Sequence, residues 1–308
     1  MGLKGPAIVS AAAVLVAAGW GYSKSPPPGS SRTRATLDEL LKQPGEDVAL
    51  AMGTADYATG LLRVSFLVIR HDGQPVYRPQ ARVYVAASLS SRPFAEATAV
   101  SEPIGVPGES GPAAGDVTRL YVAHVLVPRA GKYFMLAEPV GGRPIQGIAN
   151  LIVKDKPLAP AVGSKATPSP TPTIASTHGN FAALTTESPP DKALLRYSVA
   201  GSLAAHRPFV LVFATPKFCT SRTCGPVVDV VNAVRRRLAG KNVRFIHVEI
   251  YKNNNPTLGP NRWVTEWHLP SEPWTFLVGR DGRIKARFEG SMSVGELAAA
   301  VQRNLVKA

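Results

Sequence analysis

Between Asp47 and Lys156 the chain runs in short segments that alternate apolar and polar residues, each closed by a glycine or proline turn. This pattern limits the fold more than any other feature of the sequence. Period-two alternation turns one face of a strand toward a core and the other toward water. Leu61–Ile69 ends at the turn His71-Asp72-Gly73, and Arg82–Ala86 alternates cleanly. Arg119–Val127 is followed by Pro128 and Gly131, and Lys132–Ala137 and Ala149–Val153 complete the set. Such runs over ~110 residues predict an all-β antiparallel sandwich across 46–156.

Two stretches rich in proline and serine flank that region. Residues 24–45 read as a stalk containing one amphipathic piece, Leu37 to Leu41. Residues 157–182, with Thr167-Pro168-Ser169-Pro170-Thr171-Pro172, read as a semi-extended linker, because such a segment has little apolar surface to bury. Part of it, Val162–Ala166, alternatively serves as the lead-in of the next domain. From Ala193 the pattern changes. Phe209–Ala214 is continuously apolar, as a strand covered on both faces would be. Val228, Val231, Val234 and Leu238 recur at helical spacing before Gly240. The strands Val243–Ile250 and Trp274–Val278 come next, the second turning at Asp281-Gly282 into Arg283–Phe288, and a final helix carries Val294, Leu297, Val301 and Leu305. Residues 183–308 are therefore expected to form a small α/β layer fold.

The 308 residues carry formal net charge +14, and the excess is uneven: residues 158–308 hold nineteen basic and nine acidic groups, net +10. The one dense run, Arg235-Arg236-Arg237, fans around a helix instead of lining one stripe, and no aromatic-interleaved basic motif accompanies it. Nucleic acid is thus not an expected partner, whereas an anionic membrane surface fits. At the amino terminus an uncharged run from Gly5 to Ser23 follows Lys4 and ends before Pro26-Pro27-Pro28, the pattern of a signal sequence or membrane anchor over 1–23. An extracytoplasmic location, secreted or tethered, is the expectation. There a cysteine pair can persist as a disulfide.

Only two cysteines occur, Cys219 and Cys224, and both lie between the apolar strand and the first long helix. An all-thiolate zinc site is excluded by that count. A helix start stabilises a thiolate, and Lys217 and Arg222 add positive charge beside it. On one unbroken helix, residues five apart point about 140° from each other and rise ~7.5 Å, too far for a disulfide. Cys219 is therefore expected on a loop, with Cys224 in the first helical turn.

The strand ending Phe213-Ala214-Thr215, the triplet Cys224-Gly225-Pro226, and Glu272-Pro273-Trp274 followed by Asp281-Gly282 resemble the thioredoxin fold, in its exported TlpA-like branch, over residues 190–308. The preceding segment resembles, in general pattern, the small immunoglobulin-like modules of exported bacterial proteins. The resemblance implies a two-domain chain, a sandwich followed by a thioredoxin-like α/β fold. It implies Cys219 and Cys224 as the reactive pair, with Pro273 as a cis proline facing them and Glu272 and Trp274 beside it. The family's cysteines are separated by two residues and these by four, so two registers remain open, with either cysteine as the attacking thiol.

Protein thiols or disulfides are the partners this implies, with no cofactor and no metal. Two rivals stand beside thiol–disulfide exchange: a redox-inactive binding protein whose disulfide only fixes a loop, and a copper chaperone drawing on a histidine such as His247 or His268. Glu272 is expected either near the sulfurs, as a proton acceptor, or facing solvent. His247 and Glu249 share a strand face, and Trp263 and Trp267 are expected to pack or to line a groove.

Overall fold

The computed structural model describes residues 35–43, 46–108, 117–140, 145–218 and 224–307. The segment read as a signal or anchor lies outside them, and among the described residues no helix is long and apolar enough to cross a membrane.

The alternating runs form strands β1 (Glu46–Met52), β2 (Tyr57–Ala58), β3 (Gly60–Arg70), β4 (Gln80–Ala86), β5 (Ala95–Pro103), β6 (Arg119–Val127), β7 (Gly131–Val140) and β8 (Ile145–Lys154). They do not stack as two sheets. One hydrogen-bonded sheet runs in the order β1-β3-β6-β5-β4-β7-β8-β2, and it curls until β1 also meets β8 in parallel at Glu46–Ile145 and Asp47–Gln146. The expected sandwich is therefore corrected to a curled eight-stranded half-barrel. The reason is geometric: a strongly twisted sheet can bury one face by rolling up as well as by pairing with a second sheet. Leu62, Val64, Phe66 and Val68 of β3 meet Tyr121, Ala123, Val125 and Val127 of β6 in the rolled interior. The amphipathic piece at 37–41 is helix α1 (Leu37–Leu41), capped at Thr36 by a reciprocal bond with Glu39, and its Leu37 and Leu40 cover Tyr84, Ala86 and Leu136 on the outer face.

The remaining strands are β9 (Phe209–Phe213), β10 (Arg244–Val248), β11 (Trp274–Val278) and β12 (Ile284–Glu289), in the order β10-β9-β11-β12. β9 and β10 are parallel, and β11 is antiparallel to both β9 and β12. Helices are short except for α3: they are α2 (Val199–Ala204), α3 (Cys224–Arg237), α4 (Arg262–Glu266) and α5 (Val294–Val301). Val210 and Val212 of β9 pack under α3 and α5, while Phe209, Leu211 and Phe213 pack against Val199, Val264 and Trp267 on the other face. All five β9 residues are accordingly buried.

This sheet does not stand as a separate thioredoxin-like domain. Both sheets belong to one compact unit, Thr33–Ala308, in which helix makes up only 22% of a mostly β chain. Outward-facing Arg63 of β3 donates from Nε and Nη2 to the Glu296 carboxylate of α5 (2.6 and 2.9 Å) and from Nη2 to the Ser291 carbonyl (2.8 Å). Arg287 of β12 pairs with Asp56 (3.0 Å), whose carboxylate also accepts from the backbone of Leu158 and Ala159. Glu289 accepts from the amides of Ala55 and Asp56. At Gly290 the backbone has φ of 70°, and a β-carbon there would stand 2.5 Å from the carbonyl oxygen of Gly53. Only glycine permits that approach.

The stretch read as a linker is extended, but its first half is laid along the second sheet. Gly163 and Ala166 donate to the carbonyls of Ile284 and Gly282, Ile284 donates back to Ser164, and Lys165 bridges Arg283. Ala159, Ala166, Ser169 and Thr171 are buried. The Ser169 hydroxyl donates to Glu266 and accepts from the Trp267 indole.

Candidate functional site

Strand register defines the end of the sheet that Pro273 and the exit of β9 share. Phe213 pairs with Val248 on one side and with Trp274 on the other. One residue further, the Ala214 amide donates to Val248 and the Gly290 amide donates to Pro273. Ala214, Glu249 and Pro273 thus share the end of the sheet from which the chain leaves β9 toward α3. The Glu272–Pro273 peptide is cis and Pro273 is buried. Trp274 is also buried: it stacks on Phe276, lies under the Arg287 guanidinium, and donates to Ser271 (3.1 Å).

Cys219 and Arg222 lie outside the described residues. Cys224 is the first residue of α3, as the spacing argument required, and its side chain is likewise outside the description. Lys217 is exposed, with its ammonium over the Phe218 ring and its amide donating to Thr186 (3.2 Å). Glu272 is half-buried and accepts from the Tyr251 hydroxyl (3.3 Å).

Beneath the start of α3 the sheet is polar in an unusual way. His247, Val212 and Thr275 are aligned across β10, β9 and β11. His247 is buried and its Nε2–H donates to the Ala214 carbonyl (3.0 Å), since a carbonyl can only accept; its Nδ1 has no partner among the described residues. The hydroxyls of Thr275 and of fully buried Thr215 also lack one among the described residues. Glu249 accepts twice from Thr186 at Oε1 (2.5 Å from the amide, 2.6 Å from the hydroxyl), while its Oε2 has no described partner. Asn261 fixes this corner, donating to the Glu249 carbonyl and accepting from the amides of Trp263 and Val264.

Glu187 completes the group. Burial pushes its carboxyl above the usual carboxylate range, and only partial relief comes from the Asp191 amide and from His247; Asp229, five residues into α3, also acts on it. A carboxyl so placed holds its proton more tightly than an ordinary one. Sequence reasoning missed Glu187 and Thr186 because they reach the site from far along the chain. One signal was available: Glu187 is the sole Asp, Glu, Lys or Arg between Lys165 and Asp191.

No family model matches this chain, and no curated protein matches it. The resemblance to the TlpA-like branch and to immunoglobulin-like modules is corrected accordingly: the molecule is a sheet-rich chain built on a large curled mixed sheet, and neither kinship finds support from relatives.

The other sequence candidates are dispersed. Exposed His268 adopts φ of 49° in the turn after α4, away from the polar row. Trp267 is a fully buried packing residue against Phe213 and Phe276, and Trp263 lines a cavity of about 700 Å3 that opens beside Glu249 and Tyr251. Among the described residues, no three His, Cys, Asp or Glu side chains converge as metal ligands would.

Proposed function

We propose that the protein is an extracytoplasmic thiol–disulfide oxidoreductase working through Cys219 and Cys224. The observation that carries this reading is the placement of the chain's two cysteines in the sequence, between the end of β9 and the first turn of the 14-residue helix α3. Partial positive charge at a helix start lowers a thiol's pKa, which favours the thiolate that does the chemistry. In the first step one cysteine thiolate attacks a sulfur of the partner's disulfide. A mixed disulfide forms, and the partner's other sulfur leaves as a thiolate that takes up a proton. The second cysteine gives up its proton and attacks the mixed disulfide. The intramolecular Cys219–Cys224 bond closes and the partner leaves with both sulfurs reduced. Two electrons pass from the dithiol to the partner, and a small dithiol reductant restores the pair. Glu187, held protonated more easily than an ordinary carboxyl by its burial, supplies local proton exchange. The uncharged run Gly5–Ser23 supports export or tethering, and the reaction calls for no cofactor.

The test is reduction of insulin disulfides by the purified protein with dithiothreitol as electron source. Turnover is expected, with Cys219→Ser or Cys224→Ser abolishing it. A protein with no turnover, whose disulfide resists mild reductant, overturns the reading, as does full activity in either serine variant.

A further inference from the structure

The two ends of the curled sheet differ. At one end β3, β5 and β7 begin while β4, β6 and β8 finish: Gly60 lies opposite Val127, Ala95 opposite Val85, and Gly131 opposite Val153. Among the described residues from 46 to 156, five of the six exposed large apolar side chains sit at that end: Leu61, Leu89, Phe94, Leu126 and Ile152. Leu61 and Leu126 are direct cross-strand partners. Two residues further along β3, Arg63 is drawn into the seam between the two sheets, but Leu61 is left in water. One exposed leucine is ordinary; five large apolar side chains at one end are not.

Positive charge gathers at the same end. Arg92, Arg129, Lys132, Lys154 and Lys156 are all exposed there, and Lys132 lies opposite Ile152. Glu96 and Asp155 are the acids exposed beside them, while Asp38 and Glu39 of α1 are engaged by Lys42 and by the Thr36 amide. The chain also enters the fold here: the amides of Leu37 and Asp38 donate to the carbonyls of Ser91 and Leu89, in the turn between β4 and β5. Residues 1–34 therefore join the structure at its apolar, basic end. Eleven residues separate Ser23 from Ala35. Even fully extended they reach only ~40 Å, so the apolar run Gly5–Ser23 stays close to this end.

Apolar tips set among cations suit a surface that is hydrocarbon beneath an anionic skin. Aliphatic and aromatic side chains enter the acyl region while ammonium and guanidinium groups stay with the phosphates. A second copy of the chain would bring the same cations against these and repel them. A nucleic acid would meet the cations and gain nothing from the leucines.

We propose that this end of the curled sheet docks on an anionic lipid bilayer, with Leu61, Phe94, Leu126 and Ile152 below the phosphates and the five basic groups among them. The inference draws on the tethering reading for the nearness of a membrane, and not on thiol exchange.

The experiment is hydroxyl-radical footprinting of the full chain, read residue by residue by mass spectrometry. The chain is examined alone, with phosphatidylcholine vesicles, and with vesicles of phosphatidylcholine and phosphatidylglycerol in equal parts. The anionic vesicles should lower oxidation of Leu61, Phe94, Leu126 and Ile152 several-fold and leave Val100 and Leu258, exposed elsewhere, unchanged. High salt should restore most of it. Lys132→Glu/Lys154→Glu, two exposed positions, should lose the protection while keeping the parent's melting temperature. An unchanged footprint, equal protection by neutral vesicles, full protection in the double variant, or protection that grows with protein concentration without vesicles overturns the proposal, the last in favour of a second copy. Capture by neutral vesicles with no change in footprint supports the tether and sinks the docking alone. Insulin turnover leaves both untouched, so the redox reading fails or stands separately.

Discussion

The two sheets solve the problem of burial differently. β3 of the curled sheet buries alternate residues inward and leaves Leu61 69% exposed, whereas β9 of the four-stranded sheet is buried along its whole length. A sheet covered on one face has its other face available for contacts, and here that face carries Arg63, Ser65 and Leu67 to the seam. A sheet covered on both faces has only its ends available, and there Ala214, Pro273 and Glu249 gather. The lesson is a difference in what each sheet leaves open: the half-covered sheet keeps a face for side-chain contacts, and the fully covered one keeps only its rim.

The sharpest way to break that comparison is at the strand cores. Phe213→Ala should cost about 3–5 kcal/mol in denaturant unfolding, and Leu126→Ala, on the outer face of β6, within about 0.5 kcal/mol. Similar values would mean that the sheets are not covered as described. The joint between them is the next place to press. Arg63 and Glu296 are 11% and 16% exposed, so Glu296→Ala strands a buried guanidinium and should cost somewhat less than the about 3–5 kcal/mol typical of such losses, since Arg63 keeps the Ser291 carbonyl. The paired change Arg63→Met/Glu296→Leu should recover most of that loss, and a double variant as weak as the single one would show that the ion pair itself, not its burial, matters.

A smaller effect concerns the rim alone. Burial raises the Glu187 pKa above 4.5, so the folded state holds this proton more tightly than the unfolded chain does. Its ionisation therefore lowers stability as pH rises from about 4.5 through the folded pKa. Glu187→Gln should be more stable than the parent at pH 7, with the gap closing below pH 4.5. Melting curves across that window check it, and a gap that stays constant with pH would remove Glu187 from the titrating group.

Range along the chain decides which features the sequence disclosed. The β9 strand was legible because continuous apolarity is a local signal, and so was Cys224 at a helix start, because five-residue spacing has few geometric solutions. The α1 amphipathic piece was legible as a unit, but not the face of Tyr84 and Leu136 that it covers. The rolled sheet was not legible, since alternation is identical in a sandwich and in a half-barrel, and the two-residue contact of β1 with β8 leaves no pattern. The bond of Thr186 to Glu249 spans 63 positions, and that of Arg63 to Glu296 spans 233. Each residue looks ordinary in its own neighbourhood. The Pro/Ser/Thr-rich stretch, read as a linker with Val162–Ala166 as an alternative lead-in, hides its packing for a related reason: it pairs by backbone with Gly282–Ile284 and buries small alanines, neither of which composition reports.

That stretch has a consequence for life in a crowded compartment. β12 is a border strand, and a bare border invites a neighbouring molecule to add its own strand and begin a growing stack. By laying Gly163–Ala166 against Gly282–Ile284, the chain occupies the start of that border itself, where an incoming strand would otherwise begin to pair.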